Sequence, residues 1–387
     1  MDYKVKTRDE HFLADGNPKR ILALDGGGVR GILTLGILAR IEALLKDRHG
    51  GDDRFRLSDY FDLIAGTSTG AIIAAALARG MTVEAISDMY LDLGQRVFQK
   101  SCLRDGYLRA LYDEQELIGI LKETFGEHTT LGSPELKTGL LIVTKRLDSG
   151  SPWPLGNNPK GKYFGPRSKP EVIPNKDYPL WRLVRASTAA PKYFEPEDIE
   201  ITAPGKNTVR GQFVDGGVSP YNNPALQALM YATIEGYRVG WPVGEKNLLL
   251  TSVGTGSRDP AVAPSNLAAL HGVNALFSLM DDCAALMETL LQWMSQSPTA
   301  RMIDGEIGDL RNDRLTPAPL LSYLRYNIDL KQETLDALGL GLSPAEIAEL
   351  NEMDDPANMA RLKQIGEWIG TAKVGAHHFP TDFDLQP

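Results

Sequence analysis

The sequence predicts an α/β fold: a mainly parallel sheet with helices on both faces, extended by a helical C-terminal elaboration. Three observations carry this. Arg20 to Leu24 is a short β-type run that leads into Gly26-Gly27-Gly28. Tyr60 to Ala65 is a second such run, ended by Gly66, and Leu248 to Val253 is a third, closed by Gly254-Thr255-Gly256. Segments with helical periodicity alternate with these runs, and parallel strands need such crossovers.

In order along the chain, Ile32 to Lys46 repeats apolar residues at helical spacing through Leu33, Ile37, Leu38, Ile41, Leu44 and Leu45. Ala71 to Ala78 is an alanine-rich buried helix. Thr82 is a helix N-cap without a capping box, opening a helix to about Phe98. Asp113 to Phe125 is amphipathic, and Leu140 to Val143 is a continuous apolar strand. Ser149 to Pro179, rich in Gly, Pro, Asn and Lys, is expected to be one long irregular segment. Leu180 to Ser187 is helical, Phe213-Val214 ends a strand at Asp215, and Asn222 to Glu235 is a helix. Beyond Ser257 the chain is mostly helical. Asn266 to Met294 and Gln332 to Lys373 are the helical stretches, with Leu320 to Leu330 as a strand. The expected organisation is an N-terminal segment 1–19, a catalytic α/β domain 20–257, and a C-terminal region 258–387 packed on that domain.

The chain has 387 residues, 42% of them hydrophobic, which supports a large core and excludes global disorder. A net charge of −9 argues against nucleic acid as a partner. Cys102 and Cys283 are the only cysteines, too few for a disulfide framework or a cysteine metal site, which favours a reducing compartment. The N-terminus lacks an apolar signal core, and the uncharged run Ala261 to Met280 is interrupted by Pro264, Ser265, Asn266, His271 and Asn274. The expectation is a cytoplasmic protein with peripheral membrane contact.

Three motifs fit one reaction. In Gly66-Thr67-Ser68-Thr69-Gly70 a serine follows a buried strand and precedes a helix, the context that exposes a nucleophilic hydroxyl. Asp25-Gly26-Gly27-Gly28-Val29-Arg30-Gly31 offers backbone N–H groups of Gly26, Gly27 and Gly28 to a developing oxyanion. Asp215-Gly216-Gly217 places a carboxylate at a strand's carboxyl end, where it can serve as base. Partial burial is expected to raise its pKa. Arg30 is a candidate for a lipid phosphate. The apolar stripe Leu276 to Met294 is read chiefly as core packing, with an acyl pocket or a membrane face as the alternatives.

A rival reading exists: Gly26, Gly28 and Gly31 satisfy a dinucleotide-binding spacing. That fingerprint also wants an acidic residue at the tip of the next strand, whereas Asp62 lies inside it. Of the six histidines, none stands where a hydrolase triad would place it. A catalytically silent lipid-binding scaffold is the other alternative.

These motifs resemble the patatin-like phospholipase family. Asp25 to Gly31 is similar to its oxyanion motif, Gly66 to Gly70 to its nucleophile elbow, and Asp215 to Gly217 to the motif holding its second dyad member. Ala186 to Phe194 and Leu250 to Gly256 are similar to later family elements. The resemblance implies a three-layer α/β/α fold, a Ser68–Asp215 dyad, hydrolysis of membrane-lipid esters, and neither metal nor other cofactor. Some bacterial relatives are implied to be membrane-degrading effectors switched on by a cyclic nucleotide. Such an activator and a homo-oligomer are expectations that no motif of this chain carries.

Overall fold

The computed structural model describes residues 3–98, 111–166, 171–203, 205, 208–258 and 268–386, without the side chains of 268–274. Cys102, Pro264, Ser265, Asn266 and the side chains of His271 and Asn274 lie outside the described residues.

The described elements, in order, are α1 (Arg8–His11), β1 (Lys19–Leu24), α2 (Gly31–Arg48), α3 (Leu57–Tyr60), β2 (Leu63–Thr67), α4 (Thr69–Ala78), α5 (Val83–Val97) and α6 (Glu114–Phe125). Then come β3 (Gly139–Arg146), β4 (Pro152–Gly156), α7 (Leu180–Ser187), β5 (Glu197–Glu200), β6 (Arg210–Asp215), α8 (Ala225–Thr233) and β7 (Leu248–Val253). The last are α9 (Ala268–Met294), β8 (Ser295–Gln296), β9 (Leu321–Tyr326), α10 (Gln332–Ala337), α11 (Pro344–Asn351) and α12 (Met359–Lys373).

All described strands join one sheet, ordered β5-β6-β3-β2-β1-β7-β9-β8, with β4 also on β3. The pairs β1–β2, β1–β7, β2–β3, β7–β9 and β8–β9 are parallel. The strands β4, β5 and β6 are antiparallel to their partners. Every residue of β1, β2 and β7 is buried, as central strands covered on both faces require. One large apolar cluster joins Leu22, Ile64 and Leu249 to α2, α4 and α12; a second joins Ile21, Ala65 and Leu250 to α8. The alternating residues of each strand thus feed opposite layers, and the sheet is mixed but mostly parallel with helices on both sides.

The sequence reading needs correction in several places. The second strand starts at Leu63, because Asp59 accepts the Arg56 N–H at 3.0 Å and caps the helical turn α3, which takes Tyr60. Gly66 lies within β2 and does not end it. The long irregular segment contains β4, an edge strand. Ser151 and Asn157 bond to β3, so residues of the other parity, Pro152 and Pro154, point their missing N–H outward. The helix expected from Asn222 starts at Ala225: Asn223 Oδ1 accepts the Ala225 N–H at 3.0 Å, and Pro224, at the N-cap, accepts the Ala228 N–H on its carbonyl at 2.8 Å. The last long strand is confined to Leu321–Tyr326.

Candidate active site

The register of β3 brings the site together. The strand β2 ends with Thr67 opposite Val143, and β6 ends with Asp215 opposite Thr144, the next residue along β3. The strand β4 overlaps both stretches, from Leu141 to Lys145, so it occupies the other edge. Hence β2 and β6 approach head to head along one edge of β3. Ser68, the residue after β2, and Asp215, the last of β6, therefore meet there, though 147 positions apart in sequence.

Ser68 Oγ donates to Asp215 Oδ2 at 2.5 Å. Ser68 itself adopts φ 54°, ψ −125°, a conformation that costs a non-glycine residue of order 1–3 kcal/mol. Neighbours hold it there. Its N–H donates to Ser187 Oγ at 2.9 Å, and Ser187 Oγ donates to the Val143 carbonyl at 2.6 Å. Thr67 Oγ1 is anchored on the Tyr221 carbonyl at 2.7 Å. Behind the turn, a Cβ on Gly66 would strike the Gly70 carbonyl, and one on Gly70 the Leu24 carbonyl, so larger residues would push the elbow open.

Asp215 is buried, and its Oδ1 accepts the Gly217 N–H at 2.7 Å. Burial pushes its pKa up to about 6. The Ser68 hydroxyl, the Gly217 amide and the Arg185 charge pull the other way and limit the rise. That value suits a base working near neutrality.

The glycine loop after β1 lies beside the pair: Gly27, Gly28, Ser68 and Asp215 line one apolar cleft. Gly28 has φ +59°, and a Cβ there would strike the Met353 carbonyl. The Gly28 carbonyl is tied back by Tyr90 Oη at 2.5 Å and Thr69 Oγ1 at 2.9 Å. Among the described residues neither Gly27 nor Gly28 spends its N–H on a protein acceptor. Gly26 differs from expectation: its N–H donates to the Asn222 carbonyl at 3.1 Å and is not free for an oxyanion.

Asp25 is held by a residue the sequence reading passed over. Arg325, on β9, donates from Nη1 to Oδ1 at 3.0 Å and from Nη2 to Oδ2 at 2.6 Å. Thr255 Oγ1 also donates to the Gly26 carbonyl, at 3.0 Å. The remaining motif glycines are structural neighbours of the pair: Gly31 opens α2, and Gly216 and Gly217 form a single turn after β6. Arg30, expected at the substrate, is buried and does not line the cleft. The cleft is walled by Ile72, Leu93, Val97, Leu117 and Phe194, and by Leu276, Phe277 and Met280 of α9, so the start of that apolar stripe faces the cleft instead of being core alone.

Asp62, the acid of the dinucleotide alternative, lies just before β2, at the end of the sheet opposite the glycine loop. It accepts from Arg20 Nε and the Arg20 N–H, both at 3.0 Å, and meets His11 Nδ1 at 2.8 Å. Burial alone would raise its pKa, but Arg20 and His11 outweigh it and hold the carboxyl far below the usual range. It is a structural hub, unable to reach a ribose at the glycine loop. Among the described residues, no histidine lines the cleft.

The patatin-like phospholipase family model matches residues 22–229. The chain belongs to this family. A cGAMP-activated phospholipase of Vibrio cholerae serotype O1 is 30% identical over 68% of this chain and 71% of its own length. A second cGAMP-activated phospholipase, of Escherichia coli strain TW11681, is 29% identical over 64% of this chain and 65% of its own length. Among solved structures, VipD from Legionella pneumophila covers 90% of this chain and 67% of its own, with 14% identity and a TM-score of 0.34, too low to add to the assignment. The family membership makes this patatin-like protein a lipid hydrolase of the serine type. Among the described residues, no helix is long and apolar enough to cross a membrane.

Proposed function

We propose that this patatin-like protein is a phospholipase A-type acyl hydrolase in which Ser68 is the nucleophile and Asp215 the base. The observation that carries the reading is the direct 2.5 Å hydrogen bond between their oxygens, in a cleft floored by a glycine loop. Ser68 Oγ attacks the ester carbonyl carbon while Asp215 Oδ2 takes its proton. The carbonyl oxygen becomes an oxyanion, stabilised by the Gly27 and Gly28 N–H groups. Collapse of the tetrahedral species breaks the bond to the alcohol, which leaves with the proton from Asp215. Water then attacks the acyl-serine, giving its proton to Asp215. The fatty acid departs, and the proton returns to Ser68. The apolar walls receive the acyl chain.

The experiment is digestion of phospholipid vesicles with free fatty acids quantified by mass spectrometry, alongside labelling with a fluorophosphonate. Fatty-acid release and labelling at Ser68, both lost in Ser68→Ala, are expected. Release by Ser68→Ala at the wild-type rate would refute the assignment. The two relatives named above carry cGAMP activation in their names, so we propose a cyclic dinucleotide as activator here too. The vesicle assay run with and without cGAMP tests this: a rate unchanged by saturating cGAMP rejects it. Peripheral membrane association is read from the substrate and is checked by vesicle co-sedimentation.

A further inference from the structure

We propose that a second, polar cavity at the carboxyl ends of β7 and β9 is a nucleotide site that acts on the glycine loop through Arg325. The class of ligand rests on the activator reading above; the place and the link rest on geometry.

The cavity holds about 520 Å³ and shares no lining residue with the cleft of Ser68. Small-molecule sites run to roughly 300–1,000 Å³, so it is large enough for such a ligand. Ser257, after β7, and Arg325 and Tyr326, the last two residues of β9, form one side. Open α/β sheets bind ligands outside such strand ends. Glu288 of α9, Arg301 after β8 and Lys373 at the end of α12 also line it.

Two features mark a site and not a packing gap. Arg325 is only 8% exposed, yet its Nε has no hydrogen-bond partner. Glu288 stands 3.8 Å from that nitrogen, too far for a hydrogen bond. A buried guanidinium with an idle donor is costly, and a ligand atom that accepts from it removes the cost. Lys373 is exposed and, among the described residues, has no hydrogen-bond or ion-pair partner. Arg301, half exposed, adds a guanidinium fork to the same lining. An ammonium and a fork suit phosphate oxygens. Asp329 and Thr334 offer a carboxylate and a hydroxyl to a base edge, groups a bare anion would leave idle.

A chain of alternating charges links this cavity to the dyad. Arg301 donates from Nε to Glu288 Oε1 at 2.6 Å and from Nη2 to Oε2 at 3.3 Å. Glu288 faces Arg325, and Arg325 holds both oxygens of Asp25, which opens the glycine loop. A phosphate on Arg301 competes with Glu288 for it. Glu288 then draws Arg325 closer, and Asp25 moves with the amides of Gly27 and Gly28. A ligand shifts such an equilibrium because it contacts the two arrangements differently.

The whole chain is compared as wild type, Lys373→Glu, Lys373→Arg and Thr334→Trp, the last to fill the cavity. Melting temperatures are titrated with cGAMP, cyclic di-GMP, AMP and inorganic phosphate, and the rate of fluorophosphonate labelling at Ser68 is followed with and without each. At least one nucleotide should stabilise wild type, with an apparent Kd about tenfold weaker in Lys373→Glu and Thr334→Trp and largely restored in Lys373→Arg. The same nucleotide should speed labelling of wild type and leave the two impaired variants unchanged at the same concentration. Equal stabilisation of every variant, or of none including wild type, overturns the site. Stabilisation that depends on the cavity with an unchanged labelling rate overturns the link through Arg325. A cavity-dependent response to another nucleotide but not to cGAMP supports the site and rejects cGAMP as activator. Absence of labelling in wild type under every condition counts against the hydrolase reading, and the melting shifts then decide the site.

Discussion

At the residue scale, the proposed chemistry depends on one carboxylate with a raised pKa touching one strained serine. Asp215→Asn keeps the shape but cannot take a proton, so hydrolysis should fall at least about 10³-fold with the fold retained. Wild-type kcat/KM should climb as pH rises through about 6, the pKa that burial gives Asp215, and level off above it; a flat profile from pH 5 to 8 would contradict a base at this position. The stability consequence has the opposite sense. A carboxyl raised from 3.8 to about 6 on folding favours the folded state fully below pH 3.8, and that benefit is lost as pH rises through 6. Asp215→Asn should therefore gain on wild type between pH 4 and 6 and remain ahead above it, by roughly 2–3 kcal/mol. Denaturant melts at pH 4 and pH 8 measure this. Ser187 acts through Ser68, not on substrate. Ser187→Ala removes the acceptor of the Ser68 N–H and should lower kcat by roughly 10- to 100-fold with little change in KM.

At the scale of elements, the glycine loop proposed to hold the oxyanion is clamped by a residue distant in the sequence. The Asp25 carboxylate that opens the loop is buried and bonded at both oxygens by Arg325 of β9. Arg325→Met leaves that carboxylate without its partner and should destabilise the protein by roughly 3–5 kcal/mol. The double variant Asp25→Asn/Arg325→Met should recover part of this loss, because no buried charge is then stranded. Urea titrations of the two variants decide it. A single variant as stable as wild type would show that the pair does not hold the loop.

For the whole molecule, the region after Ser257 is built into the central sheet. The strands β8 and β9 extend it, and α12 crosses α2 so closely that Gly36 abuts the backbone of Gly366 and Glu367. Gly366 in turn abuts the Leu33 backbone, and Gly370 approaches the Gly36 carbonyl. A side chain at this crossing has nowhere to go, so Gly366→Leu should cost on the order of 1–3 kcal/mol or more. A chain cut after Ser257 would bare the buried faces of β7 and α2 and should be recovered only as aggregate. Solubility and circular dichroism of the truncated chain check that outcome.

The sequence alone placed Ser68, Asp215 and the glycine loop in strand–turn contexts, because a buried strand, a helical period and a glycine at a tight turn are local signals. It identified most helices for the same reason. It missed β4, whose prolines read as irregular until an edge position explains them, and it credited Gly26 with an amide that Asn222 takes. Arg325 carried no local signal at all: its partner lies 300 residues away. What only the tertiary structure decided was the meeting of β2 and β6 on one edge of β3. Register is a property of paired strands, and no single strand's sequence states which residue of another chain segment it will face.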